Sequence, residues 1–246
     1  MKKGIYYTII ILLFSIFIIS LINIFMWQND NKHTRKMIRE IKKSIIKKSE
    51  KKSDNDSISE IDFNKLKNIN SDIIGYIKVN GTNIDYPVVQ TVDNDFYLTH
   101  SFDKSYNKAG WVFMDYRNKW LDDNTIIYAH GRLDKTMFGS LRNVIKKNWY
   151  KDSKNYDINY ISDKYNTRWQ VFSVYKIKTT DDYLRINLDE NEKDSFINLI
   201  KKRSVYNFNV GVTKFDKILT LSSCYDNTYK VVLHAKLIEI RKNSYN

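Results

Sequence analysis

An uncharged apolar segment near the amino terminus limits where this chain can reside. Residues 5–27 have the sequence IYYTIIILLFSIFIISLINIFMW and contain no Asp, Glu, Lys or Arg. At a rise of about 1.5 Å per residue, a helix of this length spans roughly 34 Å, enough to cross a hydrocarbon core about 30 Å thick. Tyr6, Tyr7 and Trp27 lie near its ends, where the membrane interface favours aromatic rings. We predict a transmembrane anchor over residues 5–27, preceded by a short flank, residues 1–4.

A cleaved signal peptide is the alternative interpretation of this segment. Its apolar region would be shorter and would be followed by a small-residue cleavage site, which residues 25–28 (FMWQ) do not offer. The orientation of the anchor in the membrane can be argued in two ways. Basic residues at positions 32–43 outnumber Lys2 and Lys3, which by the positive-inside rule would place the carboxyl-terminal part in the cytoplasm. Large domains, however, translocate largely regardless of such charge.

The distribution of charge bears on the class of partner. The chain has 41 Lys and Arg against 28 Asp and Glu, a net charge of +13, which by itself is typical of nucleic-acid binding. Residues 1–56 hold 12 basic and 5 acidic residues, a net charge of +7, and the remaining 190 residues carry only +6. The excess is therefore concentrated beside the anchor. This distribution favours a membrane surface as partner and argues against nucleic acid.

A basic segment connects the anchor to the rest of the chain. Helical spacing of Ile38, Ile41 and Ile45 predicts a helix over residues 34–52. We interpret residues 28–57 as a basic helical stalk or linker, solvated and close to anionic lipid; a helix that docks on a partner is the alternative. The polar end of this segment predicts that the folded domain spans residues 58–246.

Short strands dominate the domain. An Asn80-Gly81 pair between two alternating apolar runs predicts a hairpin over residues 74–79 and 82–89. Further strands are predicted at 110–114, 124–129, 155–161, 168–177, 217–223 and 230–240. A short amphipathic stretch around residues 63–69 leads into the domain, and helical periodicity occurs near residues 136–147 and 189–203. This pattern favours a mixed β-barrel with helices. The sequence has no phosphate-binding loop and no Cys/His metal motif, so we predict neither a metal nor a cofactor.

Cys224 is the single cysteine of the chain, so no disulfide can form within it. It ends a predicted strand, and a turn-prone sequence follows, which presents the thiol at a strand end; a buried structural thiol is the alternative. A thiol nucleophile needs an acid or base nearby, and histidine is the usual group near neutral pH. His130, at a strand-to-loop junction, is the best candidate. We expect structural or solvated roles for His33, His100 and His234.

Four sequence blocks resemble one protein family. LTLSSC (219–224) resembles the sortase signature, in which a strand of TLxTC type ends at the catalytic cysteine. IGYIKVNGTNIDYPVVQ (74–90), VFMDYRN (112–118) and IIYAHGRLDKTMFGSL (126–141) resemble class B sortases, and the similarity is collinear over roughly residues 60–240. The long insert before the last two strands is also similar to class B. The resemblance implies an eight-stranded sortase β-barrel with helices and a cysteine transpeptidase anchored in the membrane of a Gram-positive bacterium.

The resemblance also implies roles for residues. Cys224 would attack the carbonyl group of a Thr in an NPxTG-like sorting motif, and His130 would protonate the leaving amine and then deprotonate the incoming one. The family has an Arg on the last strand that stabilises the oxyanion. Alignment of VVLHAKL (231–237) places Lys230 there, and lysine lacks the bidentate fork of arginine. Arg132 could compensate, although a solvated loop charge is its alternative role.

Further positions match substrate-binding residues of the family. Ser222 lies two residues before the cysteine, and Tyr183 and Leu184 lie in the insert that shapes the motif pocket; simple packing is the alternative for each. With Arg132 they complete the predicted substrate-binding set. No metal or cofactor is implied.

The implied partners are a surface protein with a carboxyl-terminal sorting motif, an amine of peptidoglycan or of its lipid-linked precursor, and membrane lipid. The implied location is the cell membrane, with a single pass, a cytoplasmic amino terminus and an extracytoplasmic domain. Three alternatives remain: a sortase-fold binding module with weak or lost catalysis, a pilin-type sortase, and a membrane-tethered nucleic-acid binder. The sorting motif, the acceptor amine and the oligomeric state remain open.

Overall fold

The computed structural model describes residues 2–45 and 61–243. Its first element is one helix, α1 (Lys2–Ile45), which continues without interruption from the predicted anchor into the predicted stalk. Of the helices in the described ranges, α1 is the one long and apolar enough to cross a membrane, and its apolar part is exposed. The predicted stalk helix is seen as far as Ile45. Its last part and the predicted domain boundary near residue 58 lie outside the described residues.

The carboxyl-terminal part of α1 is not solvated on all sides, so the prediction of a solvated stalk is wrong for one face. Asn31, Thr34, Met37 and Ile41 are exposed by only 8%, 1%, 8% and 1%. Their spacing of three or four residues aligns them on one side of the helix. This side packs against α2 (Phe63–Ile69) and the barrel. The helix therefore docks on its own domain, while Lys32, Lys36, Arg39 and Lys43 are exposed to solvent.

Eight strands follow, and all eight predicted strands are present. They are β1 (Ile73–Val79), β2 (Asp85–Val89), β3 (Phe113–Met114), β4 (Asn124–Tyr128), β5 (Asp157–Ile161), β6 (Tyr165–Lys178), β7 (Ile218–Cys224) and β8 (Tyr229–Lys242). They form a closed barrel in the order β1-β2-β3-β4-β7-β8-β6-β5. The predicted eight-stranded barrel is thereby confirmed. Because β4 and β7 are parallel neighbours, their carboxyl ends lie at the same rim of the barrel.

The β1–β2 hairpin has a longer turn than the Asn-Gly pair predicts. Gly81 adopts a φ of +67°, as expected for a turn glycine. The hydroxyl of Thr82 then donates a hydrogen bond to the Val79 carbonyl, 2.8 Å away, and accepts one from the Ile84 amide at 3.0 Å. These bonds keep the chain in a turn as far as Ile84, so β2 begins at Asp85.

Short helices cover the barrel. The predicted helix near residues 189–203 is confirmed as α4 (Glu190–Arg203). The one predicted over residues 136–147 forms instead a 3₁₀ segment, Gly139–Asn143, and then a single turn, α3 (Lys147–Tyr150). Here the chain packs closely on its own preceding loop, since a Cβ at Gly139 would overlap a carbonyl oxygen of that loop. Tertiary packing thus overrides the helical periodicity.

The barrel interior is an apolar core. Trp111, Trp169, Ile77 and Leu219 are among its fully buried members, each exposed by 1% or less. A smaller apolar cluster lies between α4 and the outer surface of the long strands β6 and β8. The two clusters hold the strands of the barrel, and hence the rim where β4 and β7 end, in a fixed arrangement.

Candidate active site

The carboxyl ends of β4 and β7 bring the predicted catalytic residues to one place. The two strands pair in parallel register as far as Tyr128 and Ser222. Cys224 is the last residue of β7, and His130 follows the end of β4 by two residues. Extending the register by two residues places His130 beside Cys224. The predicted nucleophile and the predicted base therefore come from neighbouring strands, 94 residues apart in sequence.

Two contacts hold the segments after β4 and β7 together beyond the last paired residues, Tyr128 and Ser222. The hydroxyl of Ser223 donates a hydrogen bond to the carbonyl oxygen of Ala129 at 2.9 Å. Gly131 approaches the Cys224 carbonyl group so closely that a Cβ at this position would overlap its oxygen. Glycine is therefore required there. This close approach sets the distance between the chain segments that carry His130 and Cys224.

A lysine contacts the thiol directly. Cys224 is a free, half-buried cysteine, and it pairs with Lys230 across the antiparallel β7–β8 ladder. The Nζ of Lys230 donates a hydrogen bond to the Sγ of Cys224 at 3.0 Å. This hydrogen bond places the Lys230 ammonium group directly beside the predicted nucleophile. Lys230 thus contacts the predicted nucleophile, and its role as an oxyanion donor stays a prediction.

The short β7–β8 connection is what puts the lysine there. The Tyr225 amide donates to the Tyr229 carbonyl at 2.8 Å and closes the turn. One carboxylate oxygen of Asp226 accepts hydrogen bonds from the amides of Thr228 and Tyr229, both at 2.8 Å. These backbone hydrogen bonds lower the pKa of Asp226. This turn aligns Lys230 with Cys224.

The imidazole of His130 is fixed by the backbone. Its Nε2 lies 2.8 Å from the carbonyl oxygen of Leu98. Because a carbonyl can only accept a hydrogen bond, Nε2 carries a proton, and Nδ1 is the nitrogen left for proton exchange. Gly110, with a φ of +61°, packs against the ring, and a Cβ there would lie 3.0 Å from His130 Cδ2. The ring orientation and tautomer are therefore set by the fold.

Arg142 is a further residue of the site that the sequence alone did not indicate. Its NH2 group donates to the carbonyl oxygens of Gly131 and Tyr225, at 3.3 and 3.1 Å. These residues directly follow His130 and Cys224. Its guanidinium also lies 5.2 Å from the centre of the Tyr225 ring. Arg142 thus connects the two catalytic chain segments through their backbones.

The predicted substrate-binding residues differ in how deeply they are buried. Tyr183 and Ser222 are almost completely buried, and their hydroxyl groups are 2.8 Å apart. Leu184 is partly buried and packs against the smaller apolar cluster. The Tyr183–Ser222 hydrogen bond links the long insert to β7 two residues before Cys224. Contact of these three residues with substrate stays a prediction.

Arg132 faces the docked helix α1. Its Nε donates to Thr136 at 3.1 Å and lies 3.4 Å from the carboxylate of Asp134, and its NH2 donates to the Asn31 side chain. Only 11% of its side chain is exposed. These contacts favour a structural role for Arg132 rather than compensation for the missing arginine. Its predicted role in substrate binding stays a prediction.

The other histidines have structural surroundings, as expected. His234 is completely buried, and its ring nitrogens lie 2.8 Å from the hydroxyl of Tyr175 and 2.9 Å from that of Thr220. Its burial lowers its pKa to about 3, so it is neutral at physiological pH. His100 is bonded to a backbone carbonyl, and His33 lies beside a carboxylate. Residues 2–45 and 61–243 contain no group of three or more potential metal ligands.

Comparison with known proteins identifies the family. The family model of the Sortase domain matches residues 77–238. Sortase B of Staphylococcus aureus (strain NCTC 8325 / PS 47) is 40% identical over 186 residues, which cover 72% of this chain and 75% of that protein. The chain belongs to the class B sortases. Sortases are cysteine transpeptidases, and this sortase has one cysteine with which to perform that chemistry.

Solved sortase B structures share the fold. The Staphylococcus aureus sortase B–substrate complex has a TM-score of 0.72 at 33% identity, covering 86% of this chain and 97% of that one. A crystal structure of sortase B complexed with triglycine has a TM-score of 0.72 at 33% identity, covering 88% and 99%. The resemblance seen in four sequence blocks therefore extends over the barrel. It supports a transpeptidase, and neither the binding-module nor the pilin-type alternative gains support.

Proposed function

We propose that this sortase cleaves an NPxTG-like sorting motif after Thr and joins the surface protein to an amine of the cell wall. The hydrogen bond from Lys230 Nζ to Cys224 Sγ is the observation that carries this proposal. It provides the nucleophile with a cation that can stabilise first the thiolate and then an oxyanion. The register of β4 and β7, which brings His130 beside Cys224, supports His130 as the proton carrier.

The reaction has two half-steps. In the first, His130 takes the thiol proton of Cys224, Sγ forms a bond to the Thr carbonyl carbon, the amide C–N bond breaks, and His130 gives that proton to the leaving amine. In the second, the acceptor amine attacks the thioester and His130 takes a proton from it. The C–S bond then breaks, and His130 returns the proton to the Cys224 sulfur. Lys230 donates to the carbonyl oxygen whenever that oxygen carries negative charge. Arg142 positions the backbones from which Cys224 and His130 extend.

Solved structures of relatives support a proposal for the partners. One neighbouring sortase B structure contains a substrate and another contains triglycine. For this chain we infer a surface-protein substrate with a carboxyl-terminal sorting motif and a glycine-like amine acceptor in peptidoglycan or its lipid-linked precursor. The substrate-binding set is Ser222, Tyr183, Leu184 and Arg132. The predicted organisation is a flank (1–4), an anchor (5–27), a stalk (28–57) and a catalytic domain (58–246).

Mass spectrometry of the full chain in lipid nanodiscs tests the reaction. The protein is incubated with a panel of sorting peptides, with and without triglycine. We expect a thioester adduct on Cys224 without acceptor, and a peptide–triglycine product with it. If no peptide of the panel forms an adduct on Cys224, the transpeptidase proposal fails and the binding-module alternative takes its place.

Cysteine labelling in intact cells tests the proposed location, in which the amino terminus is cytoplasmic and the domain extracytoplasmic. Phe215 is 80% exposed, so Phe215→Cys in a Cys224→Ala background provides a single accessible thiol. We expect a membrane-impermeant maleimide to label it without lysis. Labelling only after lysis would show the opposite orientation.

A further inference from the structure

The uninterrupted helix α1 fixes the height of the domain above the membrane. If residues 5–27 span the hydrocarbon core, Asp30 and Arg35 lie roughly 4.5 and 12 Å beyond Trp27 along the helix, at about 1.5 Å per residue. The polar interface on each side of a bilayer is about 5–8 Å thick. Any part of the domain that contacts α1 between residues 30 and 35 is therefore held at the level of the lipid headgroups or immediately outside it.

The first loop that contacts this stretch of α1 precedes β3. Asn107 Nδ2 donates to the Asp30 carbonyl at 3.2 Å and to the Thr34 hydroxyl at 3.1 Å. Asp103 lies 3.3 Å from the imidazole of His33. Residues 103–108 are therefore fixed beside the first turns of α1 outside the apolar segment.

The second loop follows β4 and begins directly after His130. Arg132 donates to the Asn31 side chain, and Asp134 lies 3.9 Å from the guanidinium of Arg35. We call residues 103–108 and 131–136 the rim loops. Both rim loops are attached to the same side of α1 within a few residues of Trp27.

The exposed side chains of the rim loops suit a lipid surface. Leu133 is 83% exposed and Tyr106 is 61% exposed, an apolar and an amphipathic group that gain from contact with the interface. Lys108 and Lys135 are exposed on the same loops, whereas the exposed Lys104 is paired with Asp72 at 2.8 Å.

The acidic groups of the rim loops do not oppose this charge. The carboxylate of Asp103 faces His33, and that of Asp134 faces Arg132 and Arg35. The rim loops thus present lysines and two large side chains, with their carboxylates turned to partners on α1 or in the loop.

We propose that the rim loops form a membrane-contact surface that binds anionic lipid headgroups and places Leu133 and Tyr106 in the interface. This inference rests on the proposed anchoring by residues 5–27. It places the His130 end of the active site beside the bilayer. An acceptor amine carried by a lipid-linked precursor then reaches the thioester without leaving the membrane surface.

Fluorescence quenching in nanodiscs tests the membrane contact. The full chain with Cys224→Ala and Leu133→Cys is labelled with NBD, and quenching by lipids with a headgroup nitroxide is measured. Phe215→Cys in the same background is the matched control. Phe215 is 80% exposed but lies just before β7, at the opposite end of the strand from Cys224. In discs containing phosphatidylglycerol, we expect the Leu133 label to be quenched several-fold more than the Phe215 label.

A third label separates the two proposals. Phe17→Cys reports on the anchor itself, using lipids with a nitroxide on the acyl chain. A quenched Phe17 label, together with equal quenching at positions 133 and 215, would overturn the membrane-contact surface while leaving the anchor intact. Absence of quenching at position 17 would overturn the anchor, and the contact surface with it.

Lipid composition tests the charge. In discs of phosphatidylcholine alone, we expect weaker quenching at position 133 and unchanged quenching at position 17. The variant Lys108→Gln/Lys135→Gln should lower the quenching at position 133 in phosphatidylglycerol discs, because each lysine near an anionic surface strengthens binding about fivefold. Quenching at position 133 that responds neither to phosphatidylglycerol nor to these lysines would contradict binding to anionic headgroups.

Discussion

The two ends of the parallel β4–β7 pair treat charge differently. At the amino end charged side chains form ion pairs, whereas at the carboxyl end the predicted catalytic side chains are bonded mainly to backbone carbonyls or to the thiol. At the amino end, Asp123 lies 3.1 Å from the ammonium of Lys217 and 3.2 Å from that of Lys193. It also accepts a hydrogen bond from the Leu188 amide at 3.3 Å. This end closes the barrel and ties it to the segment leading into α4.

The carboxyl end is built differently. His130 is bonded through one nitrogen to a backbone carbonyl, and Lys230 contacts only the thiol of Cys224 among the hydrogen bonds observed in the described parts of the chain. Arg142 is bonded to carbonyl oxygens and has no carboxylate partner within residues 2–45 and 61–243. The backbone thus positions these groups without neutralising them. The same pair of strands therefore serves stability at one end and reactivity at the other.

The largest effect is expected for the nucleophile. Cys224→Ala should lower transpeptidation by at least about 10³-fold, because no acyl-enzyme can form. Cleavage of a sorting peptide is measured by mass spectrometry, and thermal unfolding serves as the control for folding. A variant that unfolds normally and retains substantial cleavage would show that Cys224 is not the nucleophile.

His130→Ala should lower kcat by about 10²–10⁴-fold, because proton transfer to and from the amine is lost. His100→Ala is the matched control: that histidine is also bonded to a backbone carbonyl of the same 96–98 segment that holds His130. We expect little change in kcat for the control. Equal losses in the two variants would argue for a structural effect on this segment instead of acid–base chemistry.

Lys230→Ala should lower kcat by up to about 10²–10³-fold, the usual cost of removing one oxyanion donor. Lys230→Arg should restore most of the activity, since arginine offers at least as many donors. Lys236→Ala, also on β8 but bonded to the Gly211 carbonyl at the other end of the barrel, is the control. Unchanged transpeptidation by Lys230→Ala would exclude the proposed role.

Arg142→Met should lower kcat roughly fivefold, which corresponds to the loss of about 1 kcal/mol from its hydrogen bonds to the two catalytic segments. KM should change little, and Arg142→Lys should recover part of the loss. Arg168, which pairs with Asp157 and Glu239 on the barrel wall, provides the control variant Arg168→Met. If KM rises and kcat stays constant, Arg142 contacts substrate and does not act through the backbone.

Asp123→Asn should leave kcat unchanged and lower the free energy of unfolding by about 1–3 kcal/mol. The reason is that the partly buried ammonium groups of Lys193 and Lys217 lose their carboxylate partner. Burial raises the pKa of Asp123, but hydrogen bonds from Lys217, the Leu188 amide and Lys193 outweigh it and lower that pKa overall. A carboxylate with a lowered folded-state pKa stabilises the fold above its ordinary pKa of about 3.9 and loses this effect as pH falls.

Denaturant unfolding of both proteins at several pH values measures this difference. The stability gap between the wild type and Asp123→Asn should be full near pH 7 and should shrink as the pH falls below about 4. A gap that stays constant at acidic pH, or a loss of transpeptidation in the variant, would contradict the division of roles between the two ends.

The order of the strands along the chain could be predicted because each strand carries its own local signal. Alternating apolar residues and the Asn80-Gly81 pair identify them, and the LTLSSC block identifies the thiol. Lys230 could be placed because VVLHAKL (231–237) aligns with the final strand of the family. In these parts the deciding information lies within a few neighbouring residues.

The rest depends on contacts between distant residues. Arg142 meets Gly131 and Tyr225 only after the barrel closes, and no local pattern marks it. The docking of α1 was missed because Asn31 and Thr34 are polar, and their burial depends on the complementary loop around Asn107. The helical periodicity near residue 139 was misleading, since close packing on the preceding loop requires a tighter segment there.

The uninterrupted helix α1 also affects how the enzyme meets its partners. If residues 5–27 span a membrane as proposed, a catalytic domain docked on α1 cannot tumble. It can only translate in the plane of the bilayer and rotate about one axis. The enzyme then searches for membrane-bound reactants in two dimensions. Its active site stays at a fixed height above the bilayer, and the domain can reorient only by rotating about the helix axis. Breaking the helix between Trp27 and Asp30 would let the domain reorient freely. The frequency of productive encounters should then fall, even though every catalytic group is still in place.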